Sequence, residues 1–217
     1  MVMRLRTLLA AATLCVLSAC GLAEPELSPA TPGAVASAGE LARPRVAEND
    51  PDRPRYIRDE WQPRGWADAD GDGCNTREEV LVSESASPAA VGPGCKILAG
   101  EWEDRYTGRR LTSPADVQID HLVALSDAHA SGGWAWPPER KVAFANDLED
   151  ADELNATWGP ENDRKADYGP DRWLPIASFR CDYVAAYARI KARWDLTVTP
   201  SQWAAVQRVW SSCGGSR

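Results

Sequence analysis

Near the end of the chain, apolar residues recur at helical spacing. Tyr183, Val184, Tyr187, Ile190 and Trp194 fall on one stripe, and Trp203, Val206, Val209 and Trp210 on a second. Each stripe predicts a helix with one face in a core. Between them, Thr199-Pro200-Ser201-Gln202 reads as a helix start. Thr199 suits the N-cap, Pro200 suits the first helical position, and Gln202 completes a capping box. Two helices joined by so short a turn pack antiparallel. The head of the first, at Cys181, is thereby brought to the foot of the second, at Cys213.

The middle of the chain is less periodic. Val117-Gln118-Ile119 is extended in character and runs into Asp120-His121, and Leu122 to Ala130 has helical composition stopped by Gly132-Gly133. Residues around Gly159-Pro160 and from Asp171 to Pro175 read as loops. Residues 1–19 have the form of a signal peptide: Arg4 and Arg6, a short apolar run, then Leu17-Ser18-Ala19-Cys20. The run is too short to span a bilayer, which takes about 20 apolar residues. Its last four residues resemble a bacterial lipobox, which implies cleavage before Cys20, lipidation of the Cys20 thiol and an anchored position outside the cytoplasmic membrane; an ordinary signal peptide is the competing reading. Residues 20–54 are rich in Pro, Ala, Glu and Ser, and read as a flexible tether with a reach of roughly 30 Å. Residues 55–217 suit one domain of the α+β class, and Trp61 is the first of ten tryptophans there to supply its core.

An exported chain can form disulfides. Cys15 and Cys20 belong to the signal, leaving Cys74, Cys95, Cys181 and Cys213. A zinc site competes poorly, since no C-x-x-C occurs and His121 and His129 are the two histidines of the sequence. The helix pair joins Cys181 to Cys213, and elimination joins Cys74 to Cys95.

Loss of Arg4 and Arg6 with the signal moves the formal net charge from −8 to −10. Such a chain is globally a poor partner for phosphate. The charge is uneven, however: residues 164–217 hold nine basic and four acidic residues, while residues 101–163 hold five basic and fourteen acidic ones. Phosphate contacts are therefore expected in the last quarter.

Asp120-His121 means little alone, but Asn162-Asp163-Arg164-Lys165 follows, then Asp167, Pro170 and Trp173-Leu174-Pro175. With Gly73-Cys74-Asn75-Thr76-Arg77, Tyr106-Thr107-Gly108, Ile119 to Leu125 and Phe144-Ala145-Asn146-Asp147, the ordered set resembles the HNH, or ββα-metal, endonucleases. The resemblance is to a secreted bacterial branch related to the C-terminal domain of the GmrSD restriction enzymes, and it runs from about Asp68 to Cys213. It implies a ββα-metal core beside the disulfide-stapled helix pair, DNA or RNA as substrate, one Mg²⁺ or Mn²⁺, and no protein partner. His121 would be the general base, Asp120 and Asn162 the metal ligands, and Lys165 and Arg77 contacts to substrate. The chemistry is coherent: phosphodiester hydrolysis needs a base to activate water and a cation to neutralise oxygen charge. A neutral imidazole and two hard oxygen donors supply these needs. The competing role for His121 is a core histidine; His129, where the family more often has an aromatic residue, reads as packing. The chain departs from the family at Glu153-Leu154, where an Asn-Leu pair is usual, after an acidic stretch through Glu149-Asp150-Ala151-Asp152 that is expected to weaken the approach of DNA.

A second metal pattern lies upstream. Asp68 to Glu79 is a twelve-residue window that satisfies the EF-hand loop pattern, with Asp68, Asp70 and Asp72 at positions 1, 3 and 5, Gly73 at 6 and Glu79 at 12. Trp61 to Trp66 makes a poor entering helix, so the alternatives are a structural Ca²⁺ site and a plain acidic turn. The rival to the nuclease is accordingly an acidic, calcium-binding surface lipoprotein without cutting activity.

Overall fold

A computed structural model describes residues 40–214; the signal segment and Cys20 lie outside the described residues. Helix and strand are mixed in the order β1 (Arg45–Val46), α1 (Thr76–Ser83), β2 (Ala90–Val91), β3 (Ile97–Ala99), β4 (Trp102–Asp104), β5 (Arg109–Leu111), β6 (Val117–His121), α2 (Leu125–Ala130), α3 (Pro138–Ala145), β7 (Leu154–Trp158), α4 (Gly159–Lys165), α5 (Arg180–Arg193), β8 (Thr197–Val198) and α6 (Pro200–Ser212). Among the described residues no helix is long and apolar enough to cross a membrane.

The strands pair two by two, and the β6–β7 pair positions the site. It is antiparallel, with Asp120 opposite Asn155 and His121 opposite Leu154. Side chains alternate across a strand, so Val117 and Ile119 of β6 share a face with each other while Gln118 and Asp120 point the other way. Val117 and Ile119, with Leu154 and Ala156 of β7, join Val80, Leu81, Ile97, Trp102 and Leu111 in a small core. β7 then runs straight into α4. Gly159 and Pro160, expected in a loop, instead open this helix: proline in a first turn forfeits no hydrogen bond, because that N–H has no intrahelical partner.

A larger core gathers Trp61, Phe144, Trp173, Tyr183, Tyr187 and Ile190 with their neighbours. The terminal hairpin forms as its pattern dictates. Thr199 Oγ1 accepts from Gln202 N and Gln202 Oε1 accepts from Thr199 N, completing the capping box of α6. Cys181 and Cys213 are disulfide-bonded with Cα atoms 5.9 Å apart, and Cys74 and Cys95 with Cα atoms 5.0 Å apart. Gly132, at φ +116°, turns the chain out of α2 where a side chain would be strained.

The folded body begins earlier than composition implies. Within the expected tether, Leu41 and Ala42 pack against the larger core, and β1 pairs in parallel with β8. Ala47 N donates to Val198 O at 2.9 Å. Two-residue pairing with a distant strand leaves no periodic trace in a Pro- and Ala-rich segment.

Candidate functional site

Asp120 and His121 end β6 and Asn162 lies on α4; all three line one open cleft of about 710 Å³, together with Gln118, Arg58 and Trp66. Residues more than forty positions apart meet because α4 follows β7 directly and docks against the Gln118–Asp120 face of β6.

Asp120 is 5% exposed and tightly held. Its Oδ2 accepts from the Tyr106 hydroxyl at 2.7 Å, and Lys165 Nζ donates to Oδ1 at 3.0 Å and reaches Oδ2 at 2.9 Å. The third proton of that ammonium goes to His121 O at 2.8 Å. Burial pushes the Asp120 carboxyl above its ordinary value, against the Lys165 charge and the Tyr106 hydrogen bond. A carboxylate offers about four acceptor positions. Three are filled, so Asp120 keeps one for the cleft. Asn162 donates Nδ2 to Gln118 Oε1 at 2.8 Å, which aims its amide and leaves Oδ1 without a protein donor among the described residues. These two oxygens fit a divalent ion that retains most of its water, as Mg²⁺ does.

His121 is neutral. Its Nε2 lies 2.9 Å from Ala145 O, which can only accept, so Nε2 carries the proton and Nδ1 the lone pair. Burial, with lesser contributions from Arg58 and Lys165, lowers its pKa to about 3 against the Ala145 hydrogen bond. The ring stacks on Trp66, with centroids 5.3 Å apart and planes 12° from parallel.

Two expected substrate contacts are placed differently. Lys165 is fully buried with every ammonium proton engaged, so no phosphate reaches it; it positions Asp120. Arg77 does line the cleft, but its guanidinium donates to Pro114 O at 3.1 Å and Val117 O at 3.2 Å.

Part of the basic excess of the last quarter is likewise engaged by carboxylates. Arg193 pairs with Asp147 and Glu149, and Arg189 with Asp150 and Asp152. Arg105 joins Asp152 at 2.8 Å. The acidic stretch expected to repel DNA is therefore neutralised by α5 and Arg105. Glu153, where the resemblance leads one to expect an asparagine, is buried beside Asp147 and Trp194, and burial foremost pushes its pKa up to about 10. Its backbone carbonyl accepts from Leu122 N at 2.9 Å, a main-chain bond that holds the strand ends together without an asparagine. His129 is buried, donating Nε2 to Pro54 O at 2.8 Å and meeting Tyr56 and Trp61 edge-on.

In the upstream loop, Asp68, Asp70 and Asp72 each bring a carboxylate oxygen within 4.8 Å of the others. Loop amides hold them: Gly71 N donates to Asp68 Oδ1 at 2.8 Å and Cys74 N to Asp72 Oδ1 at 2.7 Å. Glu79 follows on α1, which Asn75 caps, with its Oε2 shielded from solvent and without a partner. Burial first, then the three aspartates, raise the Glu79 pKa.

The sequence does not single out Tyr106, Gln118, Arg58 and Trp66 as site residues, although Tyr106 lies in one of the segments that carry the resemblance. The i, i+2 spacing of Gln118 and Asp120 was a usable signal, since it puts both on one strand face.

No family model and no solved structure matches the chain. Over 141 residues it is 36% identical to an uncharacterized secreted protein of Arthroderma benhamiae, a stretch covering 64% of this chain and 68% of that protein. The chain belongs to the family of that protein.

Proposed function

We propose that the protein is a metal-dependent endonuclease of the HNH type, cutting DNA, and RNA as a second substrate, outside the cytoplasm. The observation that carries this reading is the paired β6 and β7 with α4 following β7 directly, which brings His121, the Asp120 carboxylate and the Asn162 amide to one cleft. The family's secreted member supports the extracytoplasmic location. Lipidation at Cys20 would tether the domain to the membrane.

In this reading Asp120 and Asn162 hold one Mg²⁺ or Mn²⁺, which supplies charge neutralisation at the phosphate oxygens. His121 Nδ1 accepts a proton from the attacking water. Ala145 O fixes the tautomer that makes this nitrogen the base. Lys165 and Tyr106 hold the Asp120 carboxylate in place, and Gln118 orients the Asn162 amide.

The purified chain with Mg²⁺ or Mn²⁺ should nick supercoiled plasmid, and EDTA should stop the reaction. His121→Ala should abolish nicking at a temperature where circular dichroism shows the variant folded, although the loss of its buried contacts lowers stability. Retention of cutting by that variant removes the mechanism.

One observation favours a second reading, a calcium-binding surface protein: the Asp68–Asp70–Asp72 oxygens cluster beside the partnerless Glu79 Oε2. The two readings are compatible in one chain, because none of Asp68, Asp70, Asp72 and Glu79 lines the cleft.

A further inference from the structure

A second cleft, of about 620 Å³, adjoins the first, and Tyr56, Ser126 and Asp167 line both. The two therefore form one trough that leads away from His121 toward the start of α6. Besides Arg77, which is held by Pro114 O, Val117 O and Glu78, arginines mark its course: Arg58 in the first cleft and Arg53, Arg55 and Arg172 in the second.

These arginines differ from many elsewhere in the protein, although Arg43, Arg45, Arg64, Arg109, Arg180 and Arg208 likewise have no carboxylate partner among the described residues. On α5, Arg189 and Arg193 are bound to carboxylates, as are Arg105, Arg110 and Arg164 in other parts of the fold. Along the trough, none of the four guanidiniums has a carboxylate within ion-pair distance among the described residues. Arg53 donates to Asp50 O and Arg58 to Gln62 Oε1. The Arg172 guanidinium carbon sits over the Tyr168 ring, 3.7 Å from its centroid.

The exposed carboxylates of the trough are Asp163 in the first cleft and Asp167 and Asp171 in or beside the second. Asp127 on its floor is matched by Lys191 at 2.9 Å and bonded by Tyr187 and Gln202. Asp171 accepts from Ser201, which leaves Asp167 and Asp171 as the exposed carboxylates of the second cleft. An acidic chain with carboxylates to spare thus keeps four unpaired guanidiniums in a row beside a hydrolytic cleft.

We propose that the second cleft binds the nucleotides flanking the scissile phosphate of a single nucleic-acid strand. Arg53, Arg55 and Arg172 contact successive backbone phosphates, and Tyr168 with its stacked Arg172 forms a platform for a base. This assignment rests on the nuclease reading for its direction, since it takes His121 as the point where the strand is cut. It makes the preferred substrate a strand several nucleotides long rather than an isolated phosphodiester.

The test is fluorescence anisotropy with a labelled single-stranded 12-mer, in EDTA so that no cutting occurs, using the purified chain and Arg55→Ala/Arg172→Ala. Both side chains are exposed, and matching circular dichroism melts establish that the variant is folded. The double variant should bind at least about tenfold more weakly. Its slope of log affinity against log salt should flatten by about 1.4, the value for two single-strand phosphate contacts. Equal affinity and equal slope in the two proteins overturn the proposal. Hydrolysis of bis(p-nitrophenyl) phosphate by the wild-type chain with Mn²⁺ reads the cutting chemistry separately. Loss of binding in the double variant beside an inert wild type upholds the strand-binding trough and removes the nuclease; full hydrolysis beside unchanged binding does the reverse.

Discussion

Lys165 and Asp120 form an ion pair closed to solvent, with one ammonium reaching both carboxylate oxygens and the carbonyl of the adjacent His121. A basic residue three positions after a metal-ligand candidate suggests a phosphate contact, and the fold gives it a different task. Replacing Lys165 by methionine keeps most of the volume but strands a buried carboxylate. The expected cost is about 3–5 kcal/mol in urea unfolding, with nicking lost as Asp120 moves. A phosphate-contacting lysine would instead leave stability near wild type and raise KM.

The buried imidazole predicts an unusual acid limb. With the His121 pKa held near 3, the base form is fully populated throughout the neutral range, and protonation cannot reduce activity between pH 5 and 7. A histidine at its ordinary pKa of about 6.5 would give a tenfold fall per unit below it. Plasmid nicking from pH 5 to 8 should therefore show no break near 6.5, and such a break would mean that the base is more exposed than His121 is here.

For the upstream loop, calorimetry with Ca²⁺ should show one binding event that Asp68→Ala removes. Asp68 is the natural probe because its two oxygens accept from Gly71 N and Gly73 N and so set the loop's curvature. Absence of heat at millimolar Ca²⁺ would leave the loop as an acidic turn.

Stability should fall as pH rises through the weakly acidic range. Burial raises the Glu84 pKa to about 7, against the hydrogen bond from Ala156 N. The folded state then holds a proton that the unfolded state has released at pH values between about 4.5 and 7. Over that window this one group lowers stability by about 1.4 kcal/mol per pH unit, roughly 3 kcal/mol in all, and the loss is complete above 7. Glu153, raised mainly by burial, acts in the same direction over a wider range. Glu84→Gln should flatten the slope measured by denaturant unfolding at pH 5 and 7.5; an unchanged slope would mean that Glu84 ionises freely.

What the sequence made legible was local. The α5–α6 hairpin, its capping box and its disulfide follow from stripes and end signals within one stretch of chain. The extended approach to Asp120-His121 is local in the same sense. Lys165 could not be recognised as buried, because its surroundings come from Tyr106 and Asp120 on distant elements. The inward pairing of Arg189 and Arg193 depends on α5 facing the Asp147–Asp152 loop, which regional charge totals conceal. Gly159-Pro160 is ambiguous in isolation: the same pair that breaks a helix from within can begin one. Arg58 and Trp66 reach the cleft from irregular segments, where no periodicity announces a facing.

The bond that secures Asp120 and the second oxygen donor, Asn162, both come from α4, three residues apart. Docking this one helix completes the pair in a single event, so half of the arrangement does not arise without the other half. In an unfolded chain, such as one still crossing a membrane, Asp120 and Asn162 are separated by a long, mobile stretch and share no cation. Any chemistry of the pair is thus silent until folding is finished, and the compartment in which the protein folds decides where that chemistry could begin.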